Sequence, residues 1–300
     1  MDMKIKLSLS FKTKLLALFM LISAVPLVLA IMLNSLNMIA DAQQNIEKDI
    51  ELRNRIVQEK INELYEKNFD VLRVLACTPI TKHYLLSSSE MRDGAMEHLM
   101  MKTNSILKDN NNLIITDTKG NQLIRTDGFT LVNVLHRKYF WEAMAGKEAI
   151  SKVLVSYATG RFISVVEVPV LDNDNKTIGF VQRDYELSSL QEFVHSLATE
   201  QTYVMVIDKT GHVLAHSSRK VETEADRTDE NAYEFVAKAL NGEFGHVRDI
   251  FEGEDSFIFY SRNSITGWAI ITIQPEKFVK NHIYRRAIIA FSFGIFMLII

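Results

Sequence analysis

Three hundred residues, 47% of them hydrophobic, are enough for two domains of ordinary size with real cores. A net charge of −3 argues against a nucleic-acid surface, and a single cysteine, Cys77, excludes an internal disulfide framework. Nothing cationic adjoins Cys77, so it reads as a small buried apolar residue at a helix end rather than a nucleophile.

Residues 1–14 carry Lys4, Lys6, Lys12 and Lys14, and from Leu15 to Ala40 no charge appears. The core of that run, Leu15–Leu33, is long and apolar enough to cross a bilayer, which makes 15–38 a membrane helix with a cytoplasmic N-terminus. A cleaved signal peptide is the rival reading, and the length of the run favours an uncleaved anchor. Pro26 is tolerated there. Residues 40–76 then read as one long helix. Ile46, Ile50, Val57, Ile61 and Leu64 recur in steps of three and four on a charged rod, with Arg53 filling a gap, and this stripe suggests pairing with a second copy. Pro79 ends the rod, and a smaller helix follows through Met91–Leu107.

From Asn112 the period changes. Asn112–Asp117, a Thr-Lys-Gly-Asn turn and Gln122–Thr126 read as strand, turn, strand, and Asp127-Gly128 opens a loop. Lys138–Ala145 is a short helix stopped by Gly146. Three β-branched runs follow, at Ala149–Ser156, Phe162–Val170 and Thr177–Arg183, separated by turn residues. A short helix feeding an antiparallel meander leaves a pocket between helix and sheet. Arg137 stands at the mouth of that helix and Asp184 at the end of the last strand, two opposite charges suited to a small zwitterionic or polar ligand.

From Gln201 the pattern repeats: Tyr203–Asp208, a Lys-Thr-Gly turn, His212–His216, a helix over Ala232–Leu240, and strands near Gly245–Phe251, Ser256–Ser261 and Trp268–Gln274. The expected fold is therefore α+β, a long N-terminal helix followed by two tandem modules at 77–198 and 199–280. A second apolar run, 284–300, reads as the start of a further membrane helix, although Arg285 and Arg286 run against the charge bias.

His212 and His216 lie four apart on a strand, about 13 Å, too far for one ion. Asp172-Asn173-Asp174 lacks the glycine and distal glutamate of a calcium loop. No metal, cofactor or catalytic residue is assigned.

The motifs Arg137-x-Tyr139-Phe140, Thr159-Gly160-Arg161, Pro169-Val170, Gly179-Phe180-Val181-x-x-Asp184-x-x-Leu187, the run Val206–His216 and Gly267-Trp268 together resemble the extracytoplasmic double Cache sensor region of bacterial transmembrane receptors such as methyl-accepting chemotaxis proteins. The resemblance covers about residues 12 to 300. It implies PAS-like modules, a ligand in the membrane-distal module, residues 41–280 outside the cytoplasm, and a homodimer signalling through its membrane helices. In amino-acid-sensing members an arginine followed by two aromatics holds the ligand carboxylate and an aspartate accepts its amine. Arg137 and Asp184 fall on those positions, Tyr139 and Phe140 replace a Trp-Tyr pair, and Val132 replaces an upstream tyrosine. Tyr157 is a further candidate hydroxyl donor. The ligand classes open on this reading are amino acids, amines, organic acids and nucleobase-like compounds. The alternative is the sensor of a membrane histidine kinase or diguanylate cyclase, and in neither case is this chain itself an enzyme.

Overall fold

The structure is a computed structural model and describes residues 11–92, 94–109, 111–156, 160–199 and 201–278, with Ile288, Ile289 and Ser292. Two compact units divide the chain: 1–49 with 248–257 and 274–300, and 50–247 with 258–273. The second unit carries the candidate site.

Helix α1 runs unbroken from Phe11 to Cys77 with Pro26 inside it, and Cys77 is exposed rather than buried because the last turn presents it outward. Among the described residues no helix is long and apolar enough to cross a membrane. Several side chains of the Leu15–Leu33 run lie outside the described set, as does nearly all of the expected second membrane segment, 284–300.

The apolar stripe of α1 serves a different purpose from the one its spacing suggests. Ile50, Val57 and Ile61 are fully buried within the chain, followed by Tyr65, Phe69 and Leu72. Asn54 and Asn68 interrupt the stripe and are buried too, because sheet groups satisfy them: the Asn54 amide donates to the Ile270 carbonyl at 2.7 Å. Arg53, the apparent gap, donates to the Leu197 carbonyl at 3.1 Å. The stripe therefore covers the chain's own sheets and is no longer available as a seam for a second copy. Spacing alone cannot tell which surface a stripe covers.

Thr78 caps helix α2 (Pro79–Leu86), with Pro79 in its first turn. Pro79 thus starts a helix as well as ending one, since its fixed φ suits the first helical position and its missing N–H costs nothing there. Helix α3 covers Ala95–Leu107. Strands β1 (Asn112–Asp117) and β2 (Gln122–Arg125), helix α4 (Lys138–Met144), and strands β3 (Ala149–Ile150), β4 (Leu154–Val155), β5 (Phe162–Leu171) and β6 (Thr177–Glu186) follow. They form an antiparallel sheet in the order β2-β1-β6-β5-β3, with β4 also paired to β5. The expected strand Ala149–Ser156 is thus two short pieces. Helix α5 (Ser188–Ser196) leads to β7 (Tyr203–Ile207), β8 (Val213–His216), helix α6 (Glu234–Leu240), β9 (Gly245–Phe251), β10 (Glu254–Arg262) and β11 (Ala269–Pro275), a second sheet ordered β8-β7-β11-β10-β9.

The first sheet is buried on both faces, so β5 reads as a near-continuous apolar run rather than an alternating one, and even the polar side chains of Gln182 and Arg183 on β6 are buried. Residues paired across antiparallel strands share a face, which sorts the side chains. Arg183 pairs with Leu113 and Val166 and points toward α1, where its guanidinium donates to Asn68 at 2.7 Å. Asp184 pairs with Val165 on the opposite face, beneath α4. Gly179, the glycine of the Gly-Phe-Val motif, has φ +149, and a Cβ there would come within 2.6 Å of the Thr116 carbonyl, so no other residue fits.

Candidate functional site

The pocket follows from how the β1–β2 turn meets the loop ahead of α4. Asp117 folds its carboxylate back onto the amides of Lys119 and Asn121 at 2.9 and 2.8 Å, making the Thr-Lys-Gly turn self-capped. Gly120 has φ +81, and a Cβ there would sit 2.8 Å from the Leu135 amide. The absent side chain lets the loop pass over the turn, and the Val134 amide donates to the Gly120 carbonyl at 2.8 Å. Arg137 then becomes the N-cap residue of α4 with extended backbone.

The cavity beneath this loop has a volume of about 410 Å³. Ile163, Val165, Leu154 and Val134 give it an apolar floor and wall, while Arg125, Arg137, Asp184, Gln182, His136 and Asn133 bring polar groups to it. Arg137, Tyr139 and Asp184 all line this one cavity. Phe140 lies one layer back: it is buried and packs edge-to-face on Phe180 at 5.9 Å, within the cluster that supports α4. Tyr157 lies outside the described residues, as do Ala158 and Thr159, although Ser156 beside them lines the cavity.

Arg125 and Gln182 had no part in the sequence reading. The Arg125 guanidinium grips Asp127 with two parallel bonds, of 3.0 and 2.5 Å, and a third N–H reaches the Gln122 side chain at 3.2 Å. It also stands 3.6 Å from Asp184. Such a fork is geometrically fixed and holds the Asp127-Gly128 corner at the cavity wall. An Arg-x-Asp in a loop was the available signal, but only folding places Asp184 beside it. Gln182 uses both ends of its amide, donating to Asp184 at 3.4 Å and accepting from Thr116 at 3.2 Å.

Burial pushes the Asp184 carboxyl up to about 6. Arg125 and then Gln182 pull against that rise, and Asp127 adds to it. The protonated form of Asp184 thus stabilises the fold fully below the ordinary carboxylate pKa, and that contribution is lost as pH climbs through about 6. A ligand ammonium needs the opposite, ionised form. Ligands whose one amine is an α-ammonium are therefore expected to lose affinity about tenfold per pH unit as pH drops below about 6, with a flat profile in Asp184→Asn. Titration calorimetry between pH 4.5 and 7.5 checks this, and a flat profile in the parent chain would remove Asp184 from the site.

The second sheet repeats the same turn. Asp208 caps the amides of Thr210 and His212 at 2.7 and 3.2 Å, and the Glu230 amide donates to the Gly211 carbonyl at 2.9 Å. The charges do not repeat. His216 takes the place of Arg125 in the strand register, opposite Met205 as Arg125 is opposite Ile114. Tyr233 replaces Arg137 as the cap of α6 and stacks on Phe235. Burial, then the charge of Arg219, brings the His216 imidazole down to about 4, so it is neutral, and its Nδ1 accepts from the Ser218 amide at 3.1 Å. His212 shares a hydrogen bond with Thr210. This module also holds a buried Arg227–Asp208 ion pair.

The Cache domain family profile matches residues 34–283. No curated protein matches the chain significantly. Among solved structures, the ligand-binding domain of the Campylobacter jejuni chemoreceptor Tlp3, in complex with L-valine, is 11% identical with a TM-score of 0.63, covering 81% of this chain and 97% of that one. The periplasmic sensory domain of the C. jejuni chemoreceptor Tlp1 is 12% identical with a TM-score of 0.60, covering 79% and 97%. The extracellular domain of vpHK1S-Z8, described as a histidine kinase, is 14% identical with a TM-score of 0.61, covering 83% and 96%. At these identities the structural likeness speaks to fold, while the profile spans most of the chain, including both sheets and the cavity. The chain belongs to the Cache domain family, a sensory, ligand-binding domain rather than a catalytic one.

Proposed function

We infer that this chain is the extracytoplasmic sensor of a transmembrane chemoreceptor, and that it binds a small amino-acid-like metabolite in the cavity of the 77–198 module. The observation that carries the reading is the convergence of Arg137 and Asp184 on one cavity with an apolar floor. A guanidinium and a carboxylate there match the two charges of an amino acid, and the floor takes its side chain. The Tlp3 domain, solved with L-valine and with isoleucine, lends weight to this ligand class. The 199–280 module, with His216 and Tyr233 in the places of Arg125 and Arg137, lacks the matching charges and serves as the membrane-proximal relay. The sensor of a histidine kinase is the second reading, supported by fold neighbours of that description.

Apolar side chains such as Phe19, Ile22, Leu29 and Leu33 stand exposed along one helix, which suits lipid on their outer side and supports a membrane anchor at 15–38. In the homodimer we assign pairing to the outward face of α1, where Leu52 and Ile56 remain exposed while Ile50 and Val57 are not. Two measurements in intact cells test this arrangement. Alkaline phosphatase fused after residue 150 is expected to be active. Cysteine at Leu52 or Ile56, in a Cys77→Ser background, is expected to crosslink, and cysteine at Ile50 is not. An inactive fusion would sink the topology, and crosslinking at Ile50 alone would sink the assigned face.

A further inference from the structure

Glu167 is the least explained group in the molecule. It lies on β5 two residues beyond Val165, within a largely apolar strand, and is fully buried. Neither carboxyl oxygen has a hydrogen-bond partner among the described residues. Buried polar groups are nearly always satisfied, so an orphaned carboxyl calls for a ligand, an ion or a switch. Gln182, its cross-strand partner, turns its amide to Asp184 and Thr116 instead.

The position of Glu167 points to a ligand. Residues Ile163, Val165 and Glu167 alternate onto one face, and the first two line the cavity. Tyr139 also lines it, and the charges of both Asp184 and Glu167 hold the Tyr139 hydroxyl above its ordinary pKa after burial has done most of that work, so both carboxyls lie close to one ring. Val165 pairs with Asp184 and Glu167 with Gln182, which makes Glu167 and Asp184 diagonal neighbours on this face. That diagonal spans about 7–8 Å, a distance bridged by a chain of about four or five methylenes.

We propose that Glu167 forms a distal subsite of the pocket and receives an ammonium at the far end of the ligand, so that the ligand is a basic amino acid of about lysine length. This rests on the reading in which Arg137 and Asp184 hold the ligand's α-carboxylate and α-ammonium. The methylene stem lies along Val165, as lysine stems do on apolar surfaces. Burial, reinforced by Glu142, holds the Glu167 carboxyl well above the usual range, which favours its uncharged form while the site is empty. When the ammonium arrives, the carboxyl releases its proton to solvent and the buried charge gains a partner in the same step.

Calorimetry on the full 300-residue chain, purified in detergent, tests this with L-lysine and with L-norleucine, which is lysine without its terminal ammonium. Lysine is expected to bind at least about tenfold more tightly, because a site with an unpaired buried polar group rejects the ligand that leaves it unpaired. Repeating the titration at pH 7 in buffers of different ionisation enthalpy should show about one proton released with lysine and none with norleucine. Glu167→Gln should bring the two ligands to within about twofold by weakening lysine alone. Equal binding of the two by the parent chain, no proton release, or a preference retained in Glu167→Gln would each overturn the distal subsite. Norleucine binding with no gain for lysine removes the subsite but leaves the Arg137–Asp184 reading standing. Binding of neither, with a folded chain, removes both. The parent-chain preference and proton count decide the matter even if Glu167→Gln fails to fold.

Discussion

Replacing Arg137 with alanine is expected to weaken an amino-acid ligand by about 30-fold or more, equivalent to about 2 kcal/mol, with the melting temperature of the empty chain almost unchanged. Two arginines line the cavity. Arg125 is locked into Asp127, Gln122 and the neighbourhood of Asp184, so its charge is spent on building the wall. Arg137 is half-buried at the head of α4 and lines the cavity where the loop arrives. A ligand carboxylate taken into this cavity leaves water, and without Arg137 it has no fork to replace that hydration. Arg137→Lys should recover only part of the loss, since an ammonium keeps the charge without the planar pair of donors. Calorimetry against the same ligand checks both variants. If Arg137→Ala binds like the parent chain, the ligand lies elsewhere. If it unfolds the chain, Arg137 is a structural residue.

Much of this arrangement was readable from the residues. Period-two runs and Asp-x-x-Gly turns located both sheets, because those turns are self-capped by a local carboxylate and need nothing from the rest of the fold. Arg137 and Asp184 came from their places at a helix mouth and a strand end, Tyr139 came from the resemblance, and the structure brings all of them to one cavity. What escaped depends on tertiary packing. The stripe on α1 looked like a seam for a partner, but Asn54 and Asn68 within it are matched by groups of the chain's own sheets. The Ala149–Ser156 run broke in two, and Ser151 turned its hydroxyl to the Val165 amide at 2.9 Å, an exchange invisible in a β-branched pattern. Arg125 looked like a strand-end charge until folding set it between Asp127 and Asp184. Glu167 drew no notice because one carboxyl in an apolar strand reads as an exposed alternate position. Here both faces of that strand are covered, and only the three-dimensional structure shows it.

Arg183→Ala is expected to cost about 3–5 kcal/mol of folding stability, the largest loss foreseen for a single substitution outside the glycines. The side chain is fully buried on the α1 face of β6. One terminal nitrogen donates to the Asn68 side chain at 2.7 Å and another to Asp109, while its Nε has no partner among the described residues. Burial pulls the guanidinium pKa down, and the carboxylate of Asp109 resists that pull. Truncation would strand Asp109 and Asn68 and open a cavity the size of an arginine stem, both recognised routes to large losses. Arg183→Met tests which of the two dominates. It fills the volume and removes the charge, and exchanging a buried ion for a well-packed apolar side chain is often close to neutral. Urea unfolding of the parent chain and both variants should therefore give a large drop for alanine and a drop smaller by about 2 kcal/mol or more for methionine. Equal losses would show that stranding Asp109, rather than the cavity, sets the cost. A loss under about 1 kcal/mol for alanine would mean that water reaches Asp109 freely and that Arg183 is not the pin between α1 and the sheet. Because Arg183 and Asp184 are consecutive and face opposite ways, the methionine variant should also keep its ligand affinity. If affinity falls with stability, the pin on α1 and the carboxylate in the pocket act as one unit.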